Sequence, residues 1–293
     1  MRFKATLNNP VGLHKLGQTM EKLGATCIAS FSPNLLRFIT YHEHIVGIQA
    51  WTKMQPTSMF SEYRLESMHD NEVNFTFFLN DLLLITKDLA DSTRIEVSLK
   101  RRNQQSYLYF KWSSENFKGS VVNELKELPI ALVTQSRVAL IKEPVTIRRP
   151  DTYILLPPLT SLKPTAERFK SLGKFIVLSA NMNGVFKMEI ESSYALCSAQ
   201  YENLTNPRLA GHSIENRNVD EFSSVRIKSE DFVSFLNCYY LEPDDVICTI
   251  ADETQLTFLV YLTIDTYQNE DAPIRSIHPT QCKLTCHLPI YLE

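Results

Sequence analysis

Glu21-Lys22-Leu23-Gly24 followed by Ala25-Thr26-Cys27-Ile28 reads as a helix handing over to a strand, and the junction occurs twice. It returns at Lys170-Ser171-Leu172-Gly173 followed by Lys174-Phe175-Ile176-Val177. Further anchors recur in the same order. Asn80-Asp81-Leu82-Leu83 opens a second helix, as Glu230-Asp231-Phe232-Val233 does later. Leu128-Pro129-Ile130 comes back as Leu288-Pro289-Ile290. An ordered repeat at about 150 residues implies two similar domains in tandem, since solenoid units are far shorter.

Working outward, residues 1–7 alternate as a strand and Pro10 starts a helix that runs to Gly24, read as its C′ residue. Leu13, Leu16, Met20 and Leu23 form the apolar face of that helix. Five strand-like runs follow. A helix over 81–90, capped by Asn80, and three more strands then complete the half. The second half repeats the plan, with a strand at 153–156, a helix over 159–172, a hairpin at Asn183-Gly184 and a helix from Glu230 to about Tyr239. Pro164 is placed in a first helical turn, where a missing N–H costs little. Residues 135–151 contain Pro144 and Pro150 and lack periodicity, so they read as an extended connector. The expected architecture is α+β: domains over 1–134 and 152–293, each with two helices on one face of antiparallel sheets.

Composition excludes several classes. The 293 residues are 44% hydrophobic and 22% charged with a net charge of −3, as in an ordinary globular protein rather than a wholly basic nucleic-acid binder. The six cysteines form no C-x-x-C pair and read as reduced, buried hydrophobes. No apolar run reaches membrane-span length, so a soluble, intracellular chain is expected. A Gly-rich phosphate loop, a dinucleotide fingerprint, G-x-S-x-G and H-E-x-x-H are all absent. His42 with His44, and Glu189 with Glu191, are the pairs a metal-dependent hydrolase would use, but neither pair comes with the further ligands that a site needs. No cofactor and no metal are expected.

Basic stripes on the helices are more informative. Lys15 and Lys22 lie opposite the apolar face of the first helix, and Lys87 does the same on the second. Lys163 and Lys170 share a flank of the third helix, with Arg168 on its outer side. In each lysine pair the spacing is seven residues, about two turns. A solvated face explains any one stripe. Repeated in duplicated domains, such stripes build a positive field suited to sequence-independent phosphate contact.

The order of elements and several segments resemble the sliding DNA clamps, specifically the Hus-type subunit of the nine-one-one checkpoint clamp. The segments are Met1-Arg2-Phe3-Lys4, Trp51, Ile141-Lys142-Glu143-Pro144, Leu155-Leu156-Pro157, the stretch from Leu178 to Gly184, Asn206-Pro207-Arg208-Leu209 and the stretch from Arg226 to Phe232. The resemblance implies a noncatalytic subunit of a three-membered ring around double-stranded DNA, supporting DNA-damage checkpoint signalling and repair in the nucleus. It implies two related subunits of Rad-nine and Rad-one type, an ATP-dependent clamp loader, and repair and checkpoint clients, with no membrane. By position it implies subunit edges at Val121, Val122 and Leu125 and at Ala195, Cys197 and Tyr201, and a client groove beside Val138, Leu140 and Ile141. A self-associating replication-type clamp of the same fold is the alternative.

Overall fold

The computed structural model describes residues 1–40, 47–67, 71–89, 92–115, 121–144, 149–191, 196–207, 218–264 and 280–292. His42, His44 and Ala195 lie outside them. By contacts the chain forms two compact units. One comprises Met1–Thr40, Trp51–Lys142 and Thr263–Lys283, the other Tyr41–Ala50, Glu143–Leu262 and Leu284–Glu293.

The first unit runs β1 (Arg2–Leu7), α1 (Pro10–Leu23), β2 (Thr26–Phe31), β3 (Leu36–Thr40), β4 (Gln49–Met54), β5 (Phe60–Glu66), β6 (Val73–Phe78), α2 (Leu79–Thr86), β7 (Thr93–Arg102), β8 (Gln105–Glu115), β9 (Val121–Leu132) and α3 (Gln135–Leu140). Its strands are ordered β5-β1-β7-β8-β9-β6-β2-β3-β4. The second unit runs β10 (Thr152–Leu155), α4 (Leu159–Leu172), β11 (Phe175–Ala180), β12 (Phe186–Glu191), β13 (Leu196–Tyr201), β14 (Ser223–Lys228), α5 (Ser229–Leu236), β15 (Asp245–Ala251), β16 (Gln255–Ile264) and β17 (Thr280–Leu288). Here the orders are β10-β15-β16-β17 and β14-β11-β12-β13.

The pairing repeats as the sequence does. β1 with β7 corresponds to β10 with β15, β2 between β3 and β6 to β11 between β12 and β14, and β7 with β8 to β15 with β16. Even the closing contact returns: Phe75 faces Leu132 in the first unit, and Ile227 bridges Ile290 in the second. The two Leu-Pro-Ile tripeptides sit just before or within that closure, which is why they recur.

Local chemistry explains the helices. Asn9 Oδ1 accepts the Gly12 N–H at 2.7 Å, and Pro10 supplies the first position, so α1 starts where expected. Leu13, Leu16, Met20 and Leu23 are buried. The glycine after α1 differs in role from the expectation. Gly24 is extended at φ −178°, and so is Gly173 after α4 at −168°, so neither caps in the left-handed region. What the two positions share is close approach to a strand. A Cβ on Gly24 would lie 3.2 Å from Thr40 Cβ on β3, and one on Gly173 would lie 3.0 Å from Ile190 Cδ1 on the equivalent strand β12. Gly184 is the glycine that needs its freedom: φ is +77° in the β11–β12 turn, and a Cβ would meet the Leu204 carbonyl at 2.4 Å.

Three expectations need correction. Asn80 does not cap α2, because the helix begins two residues earlier than expected, at Leu79: buried Leu79 donates its N–H to the Ala25 carbonyl, and that tertiary bond sets the start. Pro164 is the sixth residue of α4, beyond the four N–H groups that are free in any helix, so it forgoes a bond to the Thr160 carbonyl. The connector is not extended throughout. Gln135–Leu140 makes a helix too short for periodicity to register, pinned by buried Val138.

In each unit the helices lie side by side, α1 with α2 and α4 with α5, and pack on the sheet. Leu13 and Leu82 meet Phe31, Phe75 and Phe110 in the first core. Phe235 stacks on Phe258 in the second at 3.9 Å and 15°. Trp51 and Trp112 are core residues. Burial raises the Cys27 and Cys282 thiols to about 12, so both are neutral packing groups; Cys197 alone is half-buried.

Candidate nucleic-acid interface and assembly edges

On the paired helices of the first unit, Lys22 and Lys87 are exposed and Lys15 half-buried. Lys22 pairs with its neighbour Glu21 at 2.8 Å, on a side chain still 47% exposed. Between the helices, His14 Nδ1 lies 2.9 Å from Thr86 Oγ1. That hydroxyl donates to the Leu82 carbonyl at 3.0 Å, so it accepts from His14, which carries its proton on Nδ1. Burial first, then the Lys87 ammonium, lowers the His14 pKa from its ordinary 6.5. The unfolded chain therefore takes up a proton near 6.5 that the folded chain resists. The stability His14 contributes is present above pH 6.5 and is lost as pH falls through that value towards the lower folded pKa. The urea midpoint should fall more steeply below about pH 6.5 in the native chain than in His14→Gln, and equal slopes would contradict this.

The second helix pair carries less free positive charge than the wheel suggested. Lys163 is turned against the end of α5: its ammonium donates to Asn237 Oδ1 at 3.0 Å and sits 4.6 Å from the Tyr239 ring centroid, with Glu167 at 3.9 Å. Lys170 is 3.8 Å from Glu230. Arg168 is exposed. The outward flank of Lys163 on an isolated helix is the flank that the turn after α5 covers in the fold.

Each unit also presents an open strand edge. β9 pairs with β8 from Val121 to Ile130, and on its other side it meets β6 only at Ala131 and Leu132. Among the described residues its opposite edge is otherwise unpaired. Val122 is 43% exposed and Leu125 53%. β13 pairs with β12 alone and ends its sheet. Cys197 and Tyr201 are half-buried, facing inward beside Ile190 and Phe186, so they are less available than their positions suggested. Leu140 is 81% exposed on α3, Ile141 half-buried and Val138 buried.

Several edge residues escaped sequence reasoning. Leu196 on β13 is 71% exposed and Leu84 on α2 is 68% exposed. The signal for Leu84 was the run Leu82-Leu83-Leu84-Ile85: a helix packed on one face cannot bury four successive apolar residues. Lys126 of β9 donates to the Leu84 carbonyl at 3.1 Å and to the Asp88 carboxylate, holding that carboxyl below its usual range. Beside α2's last turn, the cation meets carbonyls that the helix leaves unpaired.

Glu189 pairs with Lys187 at 2.7 Å on the outer face of β12, and Glu191 is exposed on the same face. Among the described residues no three His, Cys, Asp or Glu side chains gather to hold a metal. No helix there is long and apolar enough to cross a membrane.

Comparison with known proteins adds identity to this geometry. The chain is 28% identical over 273 residues to Checkpoint protein hus1 of Schizosaccharomyces pombe, covering 90% of this chain and 93% of the relative. It is 24% identical over 266 residues to Checkpoint protein HUS1 of Homo sapiens, covering 88% and 94%. Among solved structures, the Proliferating Cellular Nuclear Antigen of Entamoeba histolytica matches with a TM-score of 0.68 at 12% identity, over 99% of both chains. PCNA of Thermococcus kodakaraensis matches with a TM-score of 0.65 at 14% identity, over 99% of this chain and 100% of the other. The α+β architecture is thus the sliding-clamp fold. The model of the Hus1-like protein family matches residues 1–275, and the chain belongs to that family.

Proposed function

We propose that this chain is a noncatalytic subunit of a ring clamp that encircles double-stranded DNA and supports DNA-damage checkpoint signalling and repair in the nucleus. The clamp domains are residues 1–134 and 152–293, joined by 135–151. The observation that carries the proposal is that, among the described residues, β9 in the first domain and β13 in the second are the strands with an open edge that expose large apolar side chains, within a chain of this family. An unpaired edge invites another strand, and two different edges on one chain give a head-to-tail contact that closes into a ring. The partners are two related clamp subunits of Rad-nine and Rad-one type, placed on DNA by an ATP-dependent loader. Leu84 extends the first edge and Leu196 the second. In the closed ring, Lys15, Lys22 and Lys87 face the duplex, with Arg168 and Lys170 in a secondary role. The exposed side chain of Leu140 contributes to client binding.

Two measurements test this. The purified chain should remain a monomer until two related clamp polypeptides are added and then form an equimolar complex; a stable homotrimer of the chain alone would overturn it. Retention of that complex on circular DNA should weaken with salt. Changing Lys15, Lys22 and Lys87 together to Ala should reduce the slope of log affinity against log salt by roughly one to three. An unchanged slope with the ring intact would remove these lysines from the interface.

A further inference from the structure

On the β14-β11-β12-β13 sheet of the second unit, three cations gather around two aromatic rings. Phe175 of β11 and Tyr291, beyond β17, are half-buried with ring centroids 5.2 Å apart. The Arg226 guanidinium lies 4.4 Å from the Phe175 centroid, and the Lys174 ammonium 5.4 Å from it. The Lys228 ammonium lies 5.2 Å from the Tyr291 centroid. Among the described residues none of the three has a carboxylate at ion-pair distance: Glu189 pairs with Lys187 and Glu230 with Lys170. Asp231 and Glu230 still act on Lys228 from the start of α5, so Lys228 is the most screened of the three.

The duplication indicates that the fold does not require this cluster. Phe175 faces Lys228 across β11 and β14 as Thr26 faces Phe78 across β2 and β6. On the same register Arg226 corresponds to Thr76. Lys174 corresponds to Ala25, since each carbonyl accepts the first N–H of the following helix. The first unit therefore completes the same backbone plan with no charge at any of these positions. Burial also fixes the side of the sheet. Ile176 and Ile227 are buried on the face that packs against α4 and α5, and Phe175, Arg226 and Lys228 alternate to the other face.

A guanidinium stacked on a ring is held flat, and its N–H edge can take a carboxylate in two parallel bonds with little freedom lost. Linked through rings 5.2 Å apart, the cations fall within the span of about five extended residues. Separate point charges of one sign suit several carboxylates in a row better than a single anion. We infer that this patch docks an extended acidic segment of a partner protein, with carboxylates taken by Arg226, Lys174 and Lys228. A protein is favoured over nucleic acid because α4 and α5 face the duplex in the proposed ring, and this face points away from it. That choice of partner alone rests on the ring.

The test uses the full chain and two labelled peptides followed by anisotropy, Glu-Asp-Glu-Asp-Glu-Asp and the uncharged Gln-Asn-Gln-Asn-Gln-Asn, beside a short DNA duplex. The acidic peptide should bind at least about tenfold more tightly than the uncharged one, and more weakly as salt rises. Lys174→Glu, at an exposed position, should weaken it by about tenfold. Arg226→Lys keeps the charge but loses the fork, and should weaken it by about threefold or more. Lys111→Gln, an exposed cation of the first unit, should leave it unchanged. Amide shifts of Phe175, Val177, Arg226 and Tyr291 should locate the binding. Assembly with the two related subunits should be unaffected by Lys174→Glu, so a failed ring and a failed patch are read separately. Equal binding of the uncharged peptide, affinity unmoved by the Lys174 and Arg226 variants, an equal loss in Lys111→Gln, or a duplex bound here more tightly than the acidic peptide would each overturn the inference.

Discussion

Phe235→Ala is expected to destabilise the second domain by about 3–5 kcal/mol, the range for deleting a fully buried phenylalanine. Phe235 has no exposed surface. Its ring stacks on Phe258 and lies 6.3 Å from Phe232, which is itself 6.1 Å from Phe258. The three rings join α5 to β16. Losing the middle ring forfeits burial, leaves a cavity between a helix and a strand, and removes a favourable aromatic pairing. A typical domain has only about 5–15 kcal/mol in hand, so the variant should unfold at markedly lower urea. Phe235→Leu keeps most of the volume and should cost under about 1.5 kcal/mol. Measured losses below about 1 kcal/mol for the alanine variant would show that this stack does not hold the helix on the sheet.

Leu196→Lys should abolish most ring assembly while leaving the chain folded. The side chain is 71% exposed on β13, so the isolated protein gives up almost no burial and its stability should move by no more than about 0.5 kcal/mol. In an edge-to-edge contact the same position becomes buried, and a lysine there must shed its hydration or hold the strands apart. A central apolar anchor is worth about 2–4 kcal/mol, so the affinity for the neighbouring subunit should fall by some 30- to 700-fold. Sedimentation of the equimolar mixture would read this directly. Val122→Lys on β9 should weaken the contact with the other neighbour, and Leu84→Lys should add to it. Full assembly with all three lysines in place would remove β9 and β13 from the ring contacts.

The same residues show how far the sequence reaches. The bounds of the helix over Leu159–Leu172 were legible, since Leu159, Leu162, Ala166 and Phe169 recur with the helical period and are buried, whereas Leu172, read on the same face, is 45% exposed at the helix end. The repeat was legible because the pairing it encodes is itself repeated, down to the closures at Leu132 and Ile290. The start of α1 was legible from Pro10, although its cap Asn9 went unread, and Asn80 was misread as a cap where a bond from Leu79 to distant Ala25 sets the helix start.

What the sequence determined alone is the order, type and inner face of most elements, and from these a duplicated α+β fold with basic helices. Only the tertiary structure decided which cations meet a neighbouring element and how closely the elements approach one another. Lys163 looks outward on a wheel but is held by Asn237 and Tyr239 in the turn that follows α5. Gly24 and Gly173 sit close against Thr40 and Ile190, where an added Cβ would lie at 3.2 and 3.0 Å, and neither takes a left-handed dihedral angle. Lys126 serves the last turn of α2, 42 residues away in the chain. The physical reason is the same in each case. Periodicity reports a side chain's position about the axis of its own element, whereas its partners come from elements brought beside it by long-range packing.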